Sequence, residues 1–331
     1  MSDLQATLPA GPVRRPASAK RWLVRLAIAV LLLLPPVFSN DYVQYVVNLI
    51  VVYALVAVGF NVVLGYLGQL AFANAAFFGI GAYTCGISMV HLGLPFWAAL
   101  VPTGIVSLAA GALVGLPALR LKGYYLAIVT LVLGELMRWS YIHGDVLTAG
   151  SSGLGIPPAT AAGFTFGTED EKYYLFLLVA AVMIWATNNI IRSRIGRSWV
   201  AIRENELATA ALGMSPAVGK VTAFAWSGFV VGIAGALFAI LIGRIAPESF
   251  NLHQLLLHFA IVMIGGLGSI LGSILGAIVL TAAPEVLRNF PGMEEIVFSL
   301  LLIGVLLFMP RGLQGVLVGW FPRLRERLYR E

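Results

Sequence analysis

A succession of long apolar runs separated by short charged intervals constrains this chain more than any other feature. The runs fall near residues 22–38, 43–64, 69–90, 94–118, 123–141, 172–191, 221–243, 255–283 and 294–310. About 20 apolar residues in helical form cross the hydrocarbon of a bilayer, where only helices and closed barrels satisfy every backbone group. Composition agrees: 60% of the 331 residues are hydrophobic and 11% are charged, whereas a soluble domain carries roughly 25% charged residues. The expectation is an all-α polytopic integral membrane protein. The net charge of +6 does not point to nucleic acid, because the basic residues gather at the ends of apolar runs, where membrane orientation accounts for them.

Charge sets the direction of each crossing. Residues 1–21 carry Arg14, Arg15, Lys20 and Arg21 among Pro, Ala and Ser, and read as a disordered cytoplasmic tail. Leu26–Phe38 is followed at once by further apolar runs and by no small-x-small cleavage site, so it reads as a retained first span. Arg120, Lys122 and the 192–220 loop belong inside. The 142–171 loop, with Asp145, Glu169, Asp170 and Glu171, belongs outside, and the tail with Arg323, Arg325, Arg327 and Arg330 belongs inside. These assignments agree with one another if 255–283 enters and leaves on the same face, the alternative being one miscounted span elsewhere. Gly265-Gly266-Leu267-Gly268-Ser269 at its middle is a place to break a helix, and transporters use such half-helices where protein or a cavity covers the irregular backbone. The fold expected is therefore about eight full transmembrane helices plus a re-entrant or broken helix pair near 255–283.

The interval 196–220, GRSWVAIRENELATAALGMSPAVGK, is polar but patterned. Ser198 is expected to cap a helix carrying Leu207, Ala208, Ala211 and Leu212 on one face. Gly213 is the expected stop, with Ser215 and Pro216 as N-cap and first residue of the next helix. Arg192, Arg194, Arg197 and Lys220 flank this amphipathic segment, which needs a partner outside the membrane.

Polar residues inside the runs are few. Small residues at four-residue spacing (Ser107, Gly111, Gly115; Gly228, Gly232; Gly268, Gly272, Gly276) predict close helix packing. Asn48 and Asn61 are expected to bind helices together, whereas Gln69 and Asn74, beside a break at Gly65 and Gly68, are candidates for lining a solute path. Glu135 and Arg138, three residues apart, are either an internal ion pair or the outer mouth of that path. Cys85 reads as core packing. His91, His143, His253 and His258 lack metal-ligand spacing, so no metal site is expected. The phosphate loop G-x-x-x-x-G-K-[ST] does not occur in the sequence, so ATP-driven work would come from another subunit.

Six ordered blocks carry a family resemblance: GYLGQLAFANAAFFGIGAYT (65–84); LRLKGYYLAIVTLVLGELMRW (119–139) with TAGSSGL (148–154); the run from SRIGRSWVAIRENELATAALG through GIAGALFA (193–239); PESF (247–250); IGGLGSILGSILGA (264–277); and PRGLQG (310–315). Together they resemble the permeases of branched-chain amino acid ABC importers, and more narrowly the second of their two homologous membrane subunits. The resemblance implies a cytoplasmic coupling helix docked on an ATPase, at Gly196, Ala201, Arg203, Glu204, Asn205, Ala208, Ala211, Gly213 and Lys220. Independently of the resemblance, the polar and helix-breaking residues Gln69, Asn74, Glu135, Arg138, Gly265, Gly266 and Gly268 are the candidate path residues. The expected organisation is a permease domain at 22–318 and a basic cytoplasmic tail at 319–331, with both termini cytoplasmic by their charge and, by the resemblance, in a bacterial inner membrane. The partners implied are a homologous permease, two cytoplasmic ABC ATPases that hold ATP and Mg, and a periplasmic solute-binding protein. This chain would hold no cofactor and perform no covalent chemistry.

Departures from the family pattern at Ala71, Ala73, Asn74, Ala149 and Ser273 leave the solute open. A permease of the same architecture for urea, short amides or other amino or aromatic acids stands as the alternative. An ion-driven secondary transporter would need ion-binding carboxylates inside the membrane and would leave 196–220 unexplained.

Overall fold

A computed structural model describes residues 40–161, 164–287, 312, 313 and 315. The tails at 1–21 and 319–331, and the apolar runs 22–38 and 294–310, lie outside the described residues. Among the described residues five helices are long and apolar enough to cross a membrane. Helix α1 (Asp41–Asn61) continues through a wide π turn, Val62–Tyr66. Then come α2 (Asn74–Val90), α3 (Phe96–Gly115), α4 (Tyr124–His143) and α5 (Glu169–Arg192). Two short helices, α6 (Arg194–Glu204) and α7 (Glu206–Ala211), precede α8 (Pro216–Ile242). The broken pair α9 (Leu252–Gly265) and α10 (Ile270–Leu287) follows.

The run expected at 69–90 becomes helical only at Asn74, because the chain leaves the π turn and runs without helix through 67–73. The run 255–283 is broken, as expected. A Cβ on Gly265 would meet the backbone of Gly272, and one on Gly276 would meet Ile261 O. Contacts in that register, with one partner's number rising as the other falls, make α9 and α10 an antiparallel hairpin. Both outer ends of the pair therefore lie at one end of the bundle.

Helix α8 is the spine. It and α1 are 78% buried along their most apolar stretches, against 22% for α4. Gly111 and Gly232, expected from their spacing, together with Gly81 and Gly235, explain the close fit. A Cβ on Gly81 would strike the backbone of Gly232, one on Gly111 would strike Phe224 O, and one on Gly235 would strike Phe78 O. Lipid gives helices no hydrophobic reason to associate, so close backbone approach supplies the dispersion contact instead. Cys85 is buried in this core.

The bundle has two chemically distinct ends. At the acidic end Thr168 and Glu171 form a capping box at the start of α5, and Asn48 Nδ2 donates to Glu169 O (2.9 Å) and Oε2 (3.0 Å). Here β1 (Leu154–Gly155) pairs antiparallel with β4 (Arg244–Ile245), Leu154 opposite Ile245, and β2 (Ala159–Ala161) pairs with β3 (Phe164–Phe166). At the basic end lie the α3–α4 connection, α6, α7 and the π turn of α1.

Candidate functional site at the basic end

The segment from Ser193 to Ser215 is built by three polar caps. Ser193 is extended; its Oγ accepts from Ile195 N (3.2 Å) and opens α6. Along α6 the buried Gly196, Trp199 and Ile202 form one stripe, and Trp199 Nε1 donates to Thr222 Oγ1 (3.2 Å) at the foot of α8. Asn205 then breaks the helix at φ −160°, ψ 107°, and its Oδ1 accepts from Ala208 N (3.0 Å) to start α7. Ser215 Oγ accepts from Val218 N (3.4 Å) with Pro216 in the first turn of α8, as expected, and Gly213 stands at φ +83°.

One expectation is corrected. Ser198 is no cap: it sits inside α6 with Oγ donating to Ile195 O (2.7 Å), and the single helix expected from it is two helices joined at Asn205. The short amide of Asn205 competes with the helical backbone for its own hydrogen bonds, a local choice that apolar periodicity does not register.

Leu207 and Leu212 are 82% and 79% exposed, the outward apolar face that their spacing predicts, with Ala208 and Ala211 exposed beside them. Beneath, Glu206 ties α7 down. Its carboxylate takes Lys122 Nζ at 2.7 Å and Lys220 Nζ at 2.8 Å, and Lys220 also donates to Ala118 O (3.3 Å). Lys220 is only 1% exposed. The lysine hydrogen bonds, Lys122 first and Lys220 second, hold the Glu206 carboxyl below its usual range.

Of the other coupling positions, Gly196 is buried against the backbone of Ile191, Ala201 is half-buried, and Glu204, Asn205 and Gly213 are exposed. Arg203 turns toward the membrane part of the chain, where Nη1 donates to Gly65 O (2.7 Å) at the end of the π turn. Glu206 and Lys122, which complete the anchor, were missing from the expected site. The signal was the second of two acids, Glu204 and Glu206, in a basic loop.

The π turn meets the hairpin tip. Asn61 Nδ2 lies 3.3 Å from Gly266 O, 3.0 Å from Ser269 O and 2.8 Å from Ser273 Oγ, and Asn61 Oδ1 accepts from Gly268 N (2.9 Å). Gly265, Gly266 and Gly268 therefore sit at the tip, bound by one buried amide that stitches helices together. Asn74 is elsewhere: its Nδ2 lies 3.0 Å from His258 Nδ1, and His258 Nε2 lies 3.0 Å from Gln254 Nε2. Asn74 Oδ1 is buried with no hydrogen-bond partner among the described residues, beside a small pocket lined also by Phe60, Phe77, Phe224 and Ser227. Gln69 is half-buried in the non-helical stretch, its N donating to Val63 O (3.0 Å).

Glu135 and Arg138 bond to each other (2.9 Å) with side chains 43% and 34% exposed. No hydrogen bond among the described residues joins that pair to Gln69 or Asn74. Among the described residues no cluster of three or more His, Cys, Asp or Glu is placed to hold a metal. The departures from the family pattern have local roles: Asn74 binds His258, Ser273 binds Asn61, and Ala149 occupies the left-handed region at φ +58°.

Comparison with known proteins gives one consistent result. The family model described as "Branched-chain amino acid transport system / permease component" matches residues 42–310. The high-affinity branched-chain amino acid transport system permease protein LivM of Escherichia coli is 33% identical over 90% of this chain and 76% of its own length. BraD of Pseudomonas aeruginosa, a permease protein of the same description, is 29% identical over 83% of this chain and 96% of its own. The autoinducer 2 import system permease protein LsrC of Yersinia pseudotuberculosis is 29% identical over 53% of this chain and 56% of its own. No solved structure matches.

Proposed function

This chain belongs to the family of branched-chain amino acid transport permease components, and from that premise we propose that it is the M-type permease subunit of an ATP-driven importer of branched-chain amino acids. The observation that carries the reading is the exposed apolar face of α7. Leu207 and Leu212 stand out from a charged end of the bundle while Glu206, Lys122 and Lys220 lock the helix beneath them. A partner fits that face, and no phosphate loop in this sequence supplies ATP. The partner is a cytoplasmic ATPase with ATP and Mg, one of two in the assembly. The basic end is then cytoplasmic and the acidic end periplasmic, facing a solute-binding protein, with both termini cytoplasmic in a bacterial inner membrane.

In this reading a homologous permease completes the solute path, which opens alternately to either face as the ATPases close and part. The side chains of this chain do no covalent chemistry; α6 and α7 deliver motion. A short pair of helices anchored to spans on both sides passes displacement to them as a rigid body.

The test is co-purification and uptake in the assembled transporter. Leu207→Asp with Leu212→Asp should abolish retention of the ATPase subunits and uptake of labelled leucine while the chain still inserts. Gly213→Val should weaken both, because φ +83° is costly for a β-branched residue. Undiminished retention and uptake in both variants would overturn the assignment. The likeness to an autoinducer 2 permease shows why solute needs its own measurement: uptake of leucine, isoleucine and valine should exceed that of urea and of aromatic amino acids.

A further inference from the structure

Three departures from regular helix meet at one point: the elbow after Glu204, the π turn that ends α1, and the tip of the α9–α10 hairpin. Arg203 lies among them. Its Nη1 donates to Gly65 O at 2.7 Å, a carbonyl at the end of a helical segment, where backbone acceptors lack helical partners and the dipole favours a cation. Its stem lies over Gly68, which stands at φ +71°; a Cβ there would collide with Arg203 Cγ. A Cβ on Gly268, at φ +75°, would lie 3.5 Å from Nη1. Gly68 thus leaves room for this side chain, and the guanidinium reaches the edge of the hairpin tip.

The chain of contacts continues inward. Gly65 packs so closely that a Cβ there would overlap Asn61 Oδ1 and Gly268 N. Asn61 in turn holds Gly266, Gly268, Ser269 and Ser273. On the other side, Arg203 is rooted in α6, whose Trp199 and Ile202 are buried and whose Ile202 side chain fills the space beside Gly219 of α8. Among the described residues the acid paired with it is Glu204, 3.6 Å from Nη2, a loose surface pair.

We propose that Arg203 is a positioning residue, a strut that makes α6 move together with the π turn of α1 and the hairpin tip. It acts through Gly65 and Asn61 and not by contact with the ATPase. This rests on the reading of α6 and α7 as the coupling segment but assigns Arg203 the opposite direction from Leu207 and Leu212: inward, toward the broken helices.

The strut predicts uncoupling in place of dissociation. The complete transporter, reconstituted in proteoliposomes with its binding protein, would be compared as parent, Arg203→Met and Arg203→Lys for ATPase retention, ATP hydrolysis and leucine uptake. Arg203→Met keeps the stem over Gly68 and loses the donor. It should retain the ATPase and hydrolyse ATP at the parental rate, while uptake per ATP falls about tenfold, within the range of a coupling contact. Arg203→Lys restores a donor for Gly65 O and should recover most of that ratio. Should Arg203→Met fail to insert, Arg203→Leu, which also lacks a donor, is read in the same way. A parental uptake-to-hydrolysis ratio in the Met or Leu variant overturns the strut. So does loss of the ATPase from the complex, which would make Arg203 a docking residue. Failure of the coupling reading itself appears separately, as ATPase retained by the Leu207→Asp, Leu212→Asp variant.

Discussion

Lys220 is 1% exposed and lies near the start of α8. A buried ammonium is tolerable only when its donors are used, and here Glu206 takes one and Ala118 O another. Removing Glu206 leaves the cation stranded. Glu206→Gln should cost about 3 kcal/mol, the lower end for breaking a buried pair because Ala118 O remains. The shift in the unfolding midpoint of the purified protein measures it. The carboxyl is held below its usual range, so its folded value lies below the unfolded one. The stabilisation is then complete above the ordinary carboxylate range, and is lost as pH falls through the folded value. The midpoint difference between parent and Glu206→Gln should accordingly be constant at neutral pH and shrink below about pH 4. A difference unchanged into acid would contradict the bridge. Asn61 shows the same economy without charge, since one amide serves four groups of the hairpin.

At the scale of elements, packing depends on what is missing from side chains. Gly232 of α8 faces Ser107 of α3 so closely that a Cβ would overlap Ser107 Cβ and Oγ. Gly232→Leu should destabilise by about 1–3 kcal/mol through overpacking, with the spans still apolar enough to insert. Ser107→Gly in the same chain should return part of the loss, because it opens the space the new side chain enters. Thermal unfolding of the single and double variants checks this, and additive effects would mean the two residues do not meet. Asn205 makes the opposite kind of break. Its amide caps a new helix where the apolar pattern reads straight through, which is why one expected helix is an elbow of two.

For the whole molecule the decisive feature is the reversal at Gly266–Ser269. Helix α9 has 14 residues, about 21 Å at 1.5 Å per residue, short of the roughly 30 Å of hydrocarbon. With α10 running back along it, the pair enters from the acidic end and returns there. A cysteine at His253 should react with an impermeant maleimide applied from the periplasm, as should one at Ala283. One at Leu267, exposed at the tip, should not. Labelling of position 267 from the periplasm, or protection of 253, would reverse the assignment. Cys85 is buried and contributes no background.

The sequence alone determined the class of fold, most of the apolar helices among the described residues, the break at 266–269 and the gathering of acidic and basic residues at opposite ends. These follow from local quantities: the length of apolar runs, the glycines that cannot sustain a helix, and the placement of charge beside lipid. It also marked 196–220 as an amphipathic segment, and the structure leaves Leu207 and Leu212 exposed there. Only the tertiary structure decided which polar side chains face one another. Lys220 reads as a flanking charge until Glu206 and Ala118 close over it. Gly268 is 207 residues from the Asn61 amide it donates to, and Arg203 is 138 residues from the Gly65 carbonyl it holds. Such pairings depend on how helices cross in three dimensions, and no periodicity along one helix encodes the partner on another.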